Sequence, residues 1–347
     1  MPSVDTSRRT MKKSAVIVIA VIAVIAAILL VILGALYLAN SPATYSGISE
    51  PISIGIPPNE QSALILIAGD QGFFTDNGLN ATVKTYDTAL AALDGMKLGE
   101  VDIAESAELP IVREAFKKED ISVIACIDKF QSVHLVGRKD RGLENVSDLK
   151  GKRIGVARGT LTEFYLGRFL DLHGVSLQDV TLVNIPFSQS ADALANGSVD
   201  AFQVQYKDIP PIKERLDDIV LWPSQSGQSG YEVISARDDW VDGHPDTITR
   251  LLRSLIQAEE FYISHPNESM TIIQKRLNYT DAYMAALLSQ HQYSLTLDQS
   301  LITAMEDEGR WMINNNLTSE KTIPDFRDYI YTEGLERVKP DAVNIIR

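Results

Sequence analysis

The sequence predicts an α/β protein of two similar lobes, and three observations carry that prediction. From residue 52 onward, short β-branched segments alternate with amphipathic stretches, the order of a mainly parallel sheet covered by helices. That order restarts near residue 154. A helix-Gly-x-Val-Asp-strand unit occurs once in each run, at Gly99-Glu100-Val101-Asp102 and at Gly197-Ser198-Val199-Asp200. Sheets of this kind hold their ligands at the carboxyl ends of the strands.

A chain of 347 residues is long enough for two cores, and 45% hydrophobic with 22% charged residues marks it as globular. Residues 15–39 are 25 positions without a charged side chain. At about 1.5 Å per residue they would span roughly 37 Å, more than the roughly 30 Å core of a bilayer, and they are expected to be a transmembrane anchor. Arg8, Arg9, Lys12 and Lys13 precede this run, so residues 1–14 are expected as a cytoplasmic basic stub and everything after Asn40 outside the cell membrane. The alternative is a cleaved signal peptide, whose apolar region usually runs about 7 to 15 residues. Residues 7–13 also loosely resemble a twin-arginine export signal. The sole cysteine, Cys126, lies in the apolar run 121–127, so neither a lipid-attachment cysteine nor an internal disulfide is expected. Residues 1–40 carry +3 and the remainder −17, which argues against nucleic acid or an anionic membrane surface as partner. Asn-x-Ser/Thr sequons begin at Asn80, Asn145, Asn196, Asn267, Asn278 and Asn316, as on a glycosylated outer surface, although such triplets also arise by chance.

Residues 40–51 read as a linker. A strand at 52–56 ends in the turn Pro57-Pro58-Asn59-Glu60, and 61–69 is apolar enough for a buried helix. Next come a strand at 81–86, a helix at 89–98 capped by Asp87-Thr88, and a strand at 101–104. A polar turn Glu105-Ser106-Ala107-Glu108, a helix at 110–118 and a strand at 121–127 complete the first run. After 134–138, the second run places strands at 154–157, 180–185 and 199–204, with helices to residue 173, at 190–196 and from Pro210. Strands at 218–222 and 231–236 follow, and everything after Asp239 reads as helical, starting near Pro245 and restarting at Pro266. Two crossings, near Gly137 and Ser235, would hinge lobe 1 (52–137 plus 236–347) over lobe 2 (138–235).

The stretch richest in chemistry is 147–170, which reads as turn, strand, glycine turn and helix. Thr160 and Glu163 form a Thr-x-x-Glu capping box, with the Thr160 hydroxyl expected to take the Glu163 amide. The amides of Leu161 and Thr162 are then left at the positive end of a helix dipole, where an anion could dock; an ordinary strand-to-helix connection reads the same way. Glu105 and Glu108 could meet a cationic nitrogen, or could simply be a solvated acidic turn. Gln203, Gln205 and Tyr206 at a strand end would offer hydrogen bonds and a stacking face, whereas Phe202 points the other way, into the core. The five histidines are scattered without metal-ligand spacing, and no phosphate-binding or nucleophile-elbow motif occurs, so no catalytic residue, metal or cofactor is expected.

The run Asp148-Leu149-Lys150-Gly151-Lys152-Arg153-Ile154-Gly155-Val156, followed by Gly159-Thr160 and later by Ala193-Leu194 with Gly197 and Val199-Asp200-Ala201, resembles a known family. Gly72-Phe73-Phe74 with Gly78-Leu79, and Gly99-Glu100-Val101-Asp102, are similar to its pattern too. The family is the extracytoplasmic substrate-binding proteins of ABC importers, in the branch for aliphatic sulfonates, taurine, nitrate and pyrimidine precursors, and the resemblance covers about residues 50–310. It implies a type II periplasmic-binding-protein fold, no catalysis, and a permease with a cytoplasmic ATPase as partner. It also implies a small-molecule ligand among Asn59, Glu60, Gln61, Asp87, Thr88, Glu105, Ser106, Gly159, Thr160, Leu161, Thr162, Gln203, Gln205 and Tyr206. Glu105, Glu108 and the run Tyr206-Lys207-Asp208-Ile209-Pro210 depart from the family's usual pattern and leave the ligand open. The expected function is a membrane-anchored receptor for a small anionic or zwitterionic solute. Alternatives are binding of a pyrimidine or thiamine precursor or a cationic amine, a sensory ectodomain, and a pyrimidine-precursor synthase, whose cysteine- and histidine-rich site this chain does not offer.

Overall fold

The computed structural model describes residues 45–225, 227–287 and 290–346. The stub 1–14, the apolar run 15–39 and the first part of the linker lie outside these residues. Among the described residues no helix is long and apolar enough to cross a membrane.

The first run holds β1 (Glu50–Ile56), α1 (Ala63–Asp70), α2 (Phe73–Asp76), β2 (Leu79–Thr85), α3 (Ala89–Lys97), β3 (Ile103–Ala107), α4 (Glu108–Lys117) and β4 (Ile121–Phe130). The second holds β5 (Val133–Arg138), β6 (Arg153–Val156), α5 (Leu161–Leu172), β7 (Thr181–Asn184), α6 (Ser190–Ala195), β8 (Ala201–Gln205), α7 (Ile209–Lys213) and β9 (Ile219–Pro223). The remainder is β10 (Gly230–Arg237), α8 (Asp238–Gly243), α9 (Pro245–Ser264), α10 (Pro266–Leu277), α11 (Asp281–Leu287), β11 (His291–Thr296), α12 (Gln299–Asn314) and α13 (Glu333–Val338).

Two sheets result, ordered β11-β4-β10-β3-β1-β2 and β7-β6-β8-β5-β9. In the first, β1 runs parallel to β2 and β3, and β10 is antiparallel to β3 and β4. The second repeats this: β6 is parallel to β7 and β8, and β5 is antiparallel to β8. In each sheet the strand that has just crossed from the other run is antiparallel to its neighbours. Both sheets are mixed, because the crossing strands enter head-down.

Three details differ from the sequence reading. The chain leaves the first sheet after Phe130 and joins the second at Val133, not near Gly137, and it returns between Pro223 and Gly230, not near Ser235. The apolar runs on either side of these points are continuous enough to hide the break. The tail is not all helical, since β11 pairs with β4 and buries Tyr293 and Leu295 on alternate positions. Glu105 and Ser106 are not in a turn: they belong to the central strand β3, and the turn reading followed their polarity rather than the alternation around them.

Beneath the first sheet lies one large apolar core, built from α1, α3, α4, α9 and α12 packed on β1, β3, β4 and β10. The second sheet has a smaller cluster on each face. Helix α5 belongs to both halves. Leu161, Phe164 and Tyr165 enter the first core, while Leu166, Phe169 and Leu170 enter a second-sheet cluster. Phe164 meets Trp311 of α12 edge-on at 5.4 Å, and Arg168 lies 3.4 Å from Asp307.

Candidate functional site

Helices α3 and α5 begin just past the carboxyl ends of β2 and β6, and their first residues face one pocket between the two sheets. Thr88 caps α3 by accepting the Ala91 amide at 3.0 Å. The amides of Ala89 and Leu90, which line the pocket, have no hydrogen-bond partner among the described residues. Those of Leu161 and Thr162 at the start of α5 are equally free, and they line the same pocket.

The cap of α5 is not the predicted box. The Thr160 hydroxyl donates to the Ala157 carbonyl at 2.7 Å and lies 2.7 Å from the Thr162 hydroxyl, while Glu163 accepts the Gly159 amide at 2.6 Å. Glu163 reaches back past Thr160 because Arg158 holds its other oxygen at 3.0 Å. The consequence for the pocket is unchanged: two donors at a helix N-terminus, repeated on the opposite wall, create a positive end without any cationic side chain.

From the first lobe the pocket is walled by Pro57, Pro58, Asn59, Gln61, Asp87, Ala107, Pro110, Phe130 and Glu232, and from the second by Val133, Thr160, Phe187, Gln205 and Lys207. Its volume is about 70 Å³. At about 10–15 Å³ per water that admits a few waters or a compact solute. The Asn59 amide nitrogen donates to Gln61 at 2.6 Å, which leaves the buried Asn59 Oδ1 without a partner beside the cavity.

Of the residues expected to touch a ligand, Asn59, Gln61, Asp87, Thr88, Thr160, Leu161, Thr162 and Gln205 come together here. The other six do not line this pocket. Glu60 turns into the core, where Tyr279 and Tyr283 donate to it at 2.6 and 2.9 Å. Glu105 accepts from Ser62 at 2.9 Å and Ser106 is fully buried. Gly159, at φ +80°, opens onto a neighbouring groove with Arg113 and Arg158. Gln203 donates to Ser224 at 2.7 Å, and Tyr206 stacks on Tyr283 and meets His134 at a tilt. The sequence reading missed Phe130, Phe187, Lys207 and Glu232. Phe130 ends β4 just before the first crossing and Glu232 lies on β10 just after the second, positions that no local motif marks.

Behind the pocket sits a buried acidic cluster. Asp128 is pushed up by burial, an effect partly offset by His291, whose Nδ1 is 2.6 Å away. Burial alone would lower His291, but Asp128 and Glu60 together carry it above its ordinary value. Glu105 rises to about 8 through burial, with Asp128 adding to the effect. Glu232 is raised well above its ordinary value by burial and by the Glu105 and Asp128 charges.

Two sheets, two crossings and a cleft lined by helix N-termini define a periplasmic-binding-protein-like fold. The chain belongs to the NMT1/THI5-like family, whose model matches residues 59–269. A Brucella abortus protein named as a binding protein is 25% identical over 271 residues, 72% of this chain and 81% of its own. The taurine-binding periplasmic protein of Escherichia coli is 26% identical over 203 residues, 57% of this chain and 62% of its own. Among solved structures, the alkanesulfonate-binding protein SsuA of Xanthomonas axonopodis pv. citri bound to MOPS superposes with a TM-score of 0.71 at 16% identity, over 82% of this chain and 99% of that one. The desulfurization enzyme DSZB shares the fold with a TM-score of 0.61 at 17% identity, over 83% of this chain and 98% of that one.

Proposed function

We propose that this protein is the extracytoplasmic solute receptor of an ABC importer, taking a small anionic or zwitterionic organic solute of the sulfonate, taurine or nitrate type. The observation that carries the reading is the meeting of two helix N-termini, with free amides at Ala89, Leu90, Leu161 and Thr162, on one small pocket. Amides fixed at the end of a helix dipole stabilise an anionic head group without the cost of desolvating a lysine or arginine. The names of the relatives point the same way. In this reading, residues 15–39 hold the receptor at the cell membrane and the lobes hinge at residues 131–132 and 224–229. The closed, loaded form is what a permease with a cytoplasmic ATPase would accept.

Cys126 does not favour the enzyme alternative. It is buried in β4, away from the pocket, and burial raises its thiol far above the ordinary range, which suppresses the thiolate. Phe130 and Phe187, in contrast, give the pocket two aromatic walls, and these support a second reading in which the solute is a planar pyrimidine precursor.

Thermal unfolding of the full chain against ethanesulfonate, taurine, nitrate, bicarbonate and aminopyrimidines tests the proposal. A true ligand at a hundred times its dissociation constant adds about 2.7 kcal/mol. Stabilisation by a sulfonate or nitrate is expected; response to a pyrimidine alone would move the assignment to the second reading, and silence toward every compound would sink both.

A further inference from the structure

We propose that the solute carries a cationic nitrogen and that Glu232, backed by Glu105, is the group that receives it. This rests on the reading of the pocket as a solute site and names the chemistry of its second pole. Glu232 lines the pocket at 1% exposure, and its Oε1 has no hydrogen-bond partner. Glu105, at 0% exposure, likewise leaves Oε2 unpartnered by any ordinary donor. Among the described residues no lysine or arginine pairs with either carboxyl.

The strands and helix packed around Glu232 add negative charge. Strand β4 places Asp128 opposite Glu232 in register, β3 supplies Glu105, and α4 supplies Glu108. His291 on β11 is taken by Asp128. Lys207, the one lysine on the pocket wall, sits beside Asp208 on the second lobe. A fold gains nothing from two desolvated acids that no cation pairs with, one of them on the wall of a cleft, whereas a solute ammonium would meet the free Oε1 with charge-assisted hydrogen bonds.

The proton balance follows. Two carboxyls buried on paired strands without a cation hold at least one proton between them in the empty pocket. When the ammonium docks, that shared proton leaves to solvent and no other bond is made or broken. Binding of an amine-bearing solute therefore releases a proton and tightens as pH rises, while binding of the amine-free acid does neither.

Calorimetry on the full chain, with taurine against ethanesulfonate, β-alanine against propionate, and ethylammonium and 4-amino-5-aminomethylpyrimidine as cations without an acid, tests this in two buffers of different ionisation enthalpy. The amine-bearing acid is expected to bind about tenfold tighter or better than its amine-free partner, with buffer-dependent heat, and Glu232→Gln is expected to erase that preference. Equal affinities in the wild type, or a preference that survives Glu232→Gln, would overturn the inference and leave the anion site standing. Binding of the cations alone, lost in Glu232→Gln, would uphold the inference and overturn the anion reading. No binding by any compound would overturn both. Should Glu232→Gln fail to fold, Glu105→Gln carries the same test, since removing the backing charge must shrink the preference.

Discussion

Asp102 and Asp200 occupy equivalent places in the two sheets and make the same bond. Asp102 accepts the Ser53 amide at 2.8 Å and Asp200 the Arg153 amide at 3.0 Å, each stitching the start of its own strand region to the neighbouring parallel strand. Each follows a glycine at φ +76° and a buried valine, Gly99 with Val101 and Gly197 with Val199. The repeated Gly-x-Val-Asp is thus a device for turning from helix to strand and locking the strand in register. Asp102→Ala and Asp200→Ala are each expected to cost about 1.5–3 kcal/mol, the range for hydrogen bonds to a charged group. Because the two sites lie in different sheets, the double variant should fall within about 0.5 kcal/mol of the sum. Urea titrations of the three variants check this; strong coupling would mean that the two locks are not independent.

That repeat also shows how far the sequence can be read. The α/β class, the two runs and most elements were legible because period-2 and helical apolar patterns sit between glycine and proline signals. The start of α5 at the pocket was legible as well, since Gly159-Thr160 marks a helix start whatever its exact cap. Of the acids, Glu105 was an expected ligand contact with a cationic nitrogen as one reading, but its place in the fold was not legible and Glu232 was missed. Glu105 looked like a turn residue and Glu232 like nothing in particular, because a charged residue inside a central strand contradicts the pattern that identifies strands. Their meeting depends on β10 inserting between β3 and β4, a long-range pairing that no local spacing encodes.

The acid cluster predicts an unusual pH profile. Glu105 and Glu108 both rise from 4.5 to about 8, chiefly through burial, so the folded chain keeps protons that the unfolded chain gives up. Stability is then full below about pH 4.5 as far as these groups are concerned, and it is lost as pH climbs toward 8. Asp128 and His291, both raised, act in the same direction. Asp200 acts oppositely: burial works against ionisation, but Arg153 holds it below its ordinary value, so its contribution fades only under strongly acidic conditions. The melting temperature of the full chain is expected to peak near pH 5 and to decline toward pH 8. Glu308→Gln, which removes the charge facing Glu108, should flatten the decline. A melting temperature that rises from pH 5 to pH 8 would rule this out.

Gly167 gives a test of the contact between lobes. A Cβ at this position of α5 would come within 2.7 Å of the Trp311 indole nitrogen and 3.0 Å of its ring carbon, so the helix and α12 approach as closely as they do only because the residue is glycine. Alanine would ordinarily favour a helix interior by about 1 kcal/mol. Here Gly167→Ala is expected to destabilise by about 1–3 kcal/mol through overpacking against a buried ring. It should also weaken solute binding, because the only relief is to move α5, and with it Leu161 and Thr162, away from the first lobe. Urea unfolding and calorimetry on one sample read both effects; a more stable variant with unchanged affinity would show that the contact does not set the width of the cleft.

The anion site is best tested by a substitution that helps the helix while it blocks the ligand. Thr162 is buried in the first turn of α5, lines the pocket, and is nearly matched in size by aspartate. A carboxylate in the first turn is favoured by the helix dipole by about 0.3–1 kcal/mol, so Thr162→Asp should leave the melting temperature unchanged or slightly higher. The same carboxylate would occupy the positive end that the proposal assigns to the solute and repel an incoming sulfonate. Affinity for an anionic solute is therefore expected to fall about a hundredfold or more, equivalent to at least about 2.7 kcal/mol. Loss of both stability and binding would report misfolding only, and Thr162→Asn, similar in shape but neutral, separates that case by restoring most of the affinity. Full binding by a stable Thr162→Asp variant would place the anionic group elsewhere than on α5.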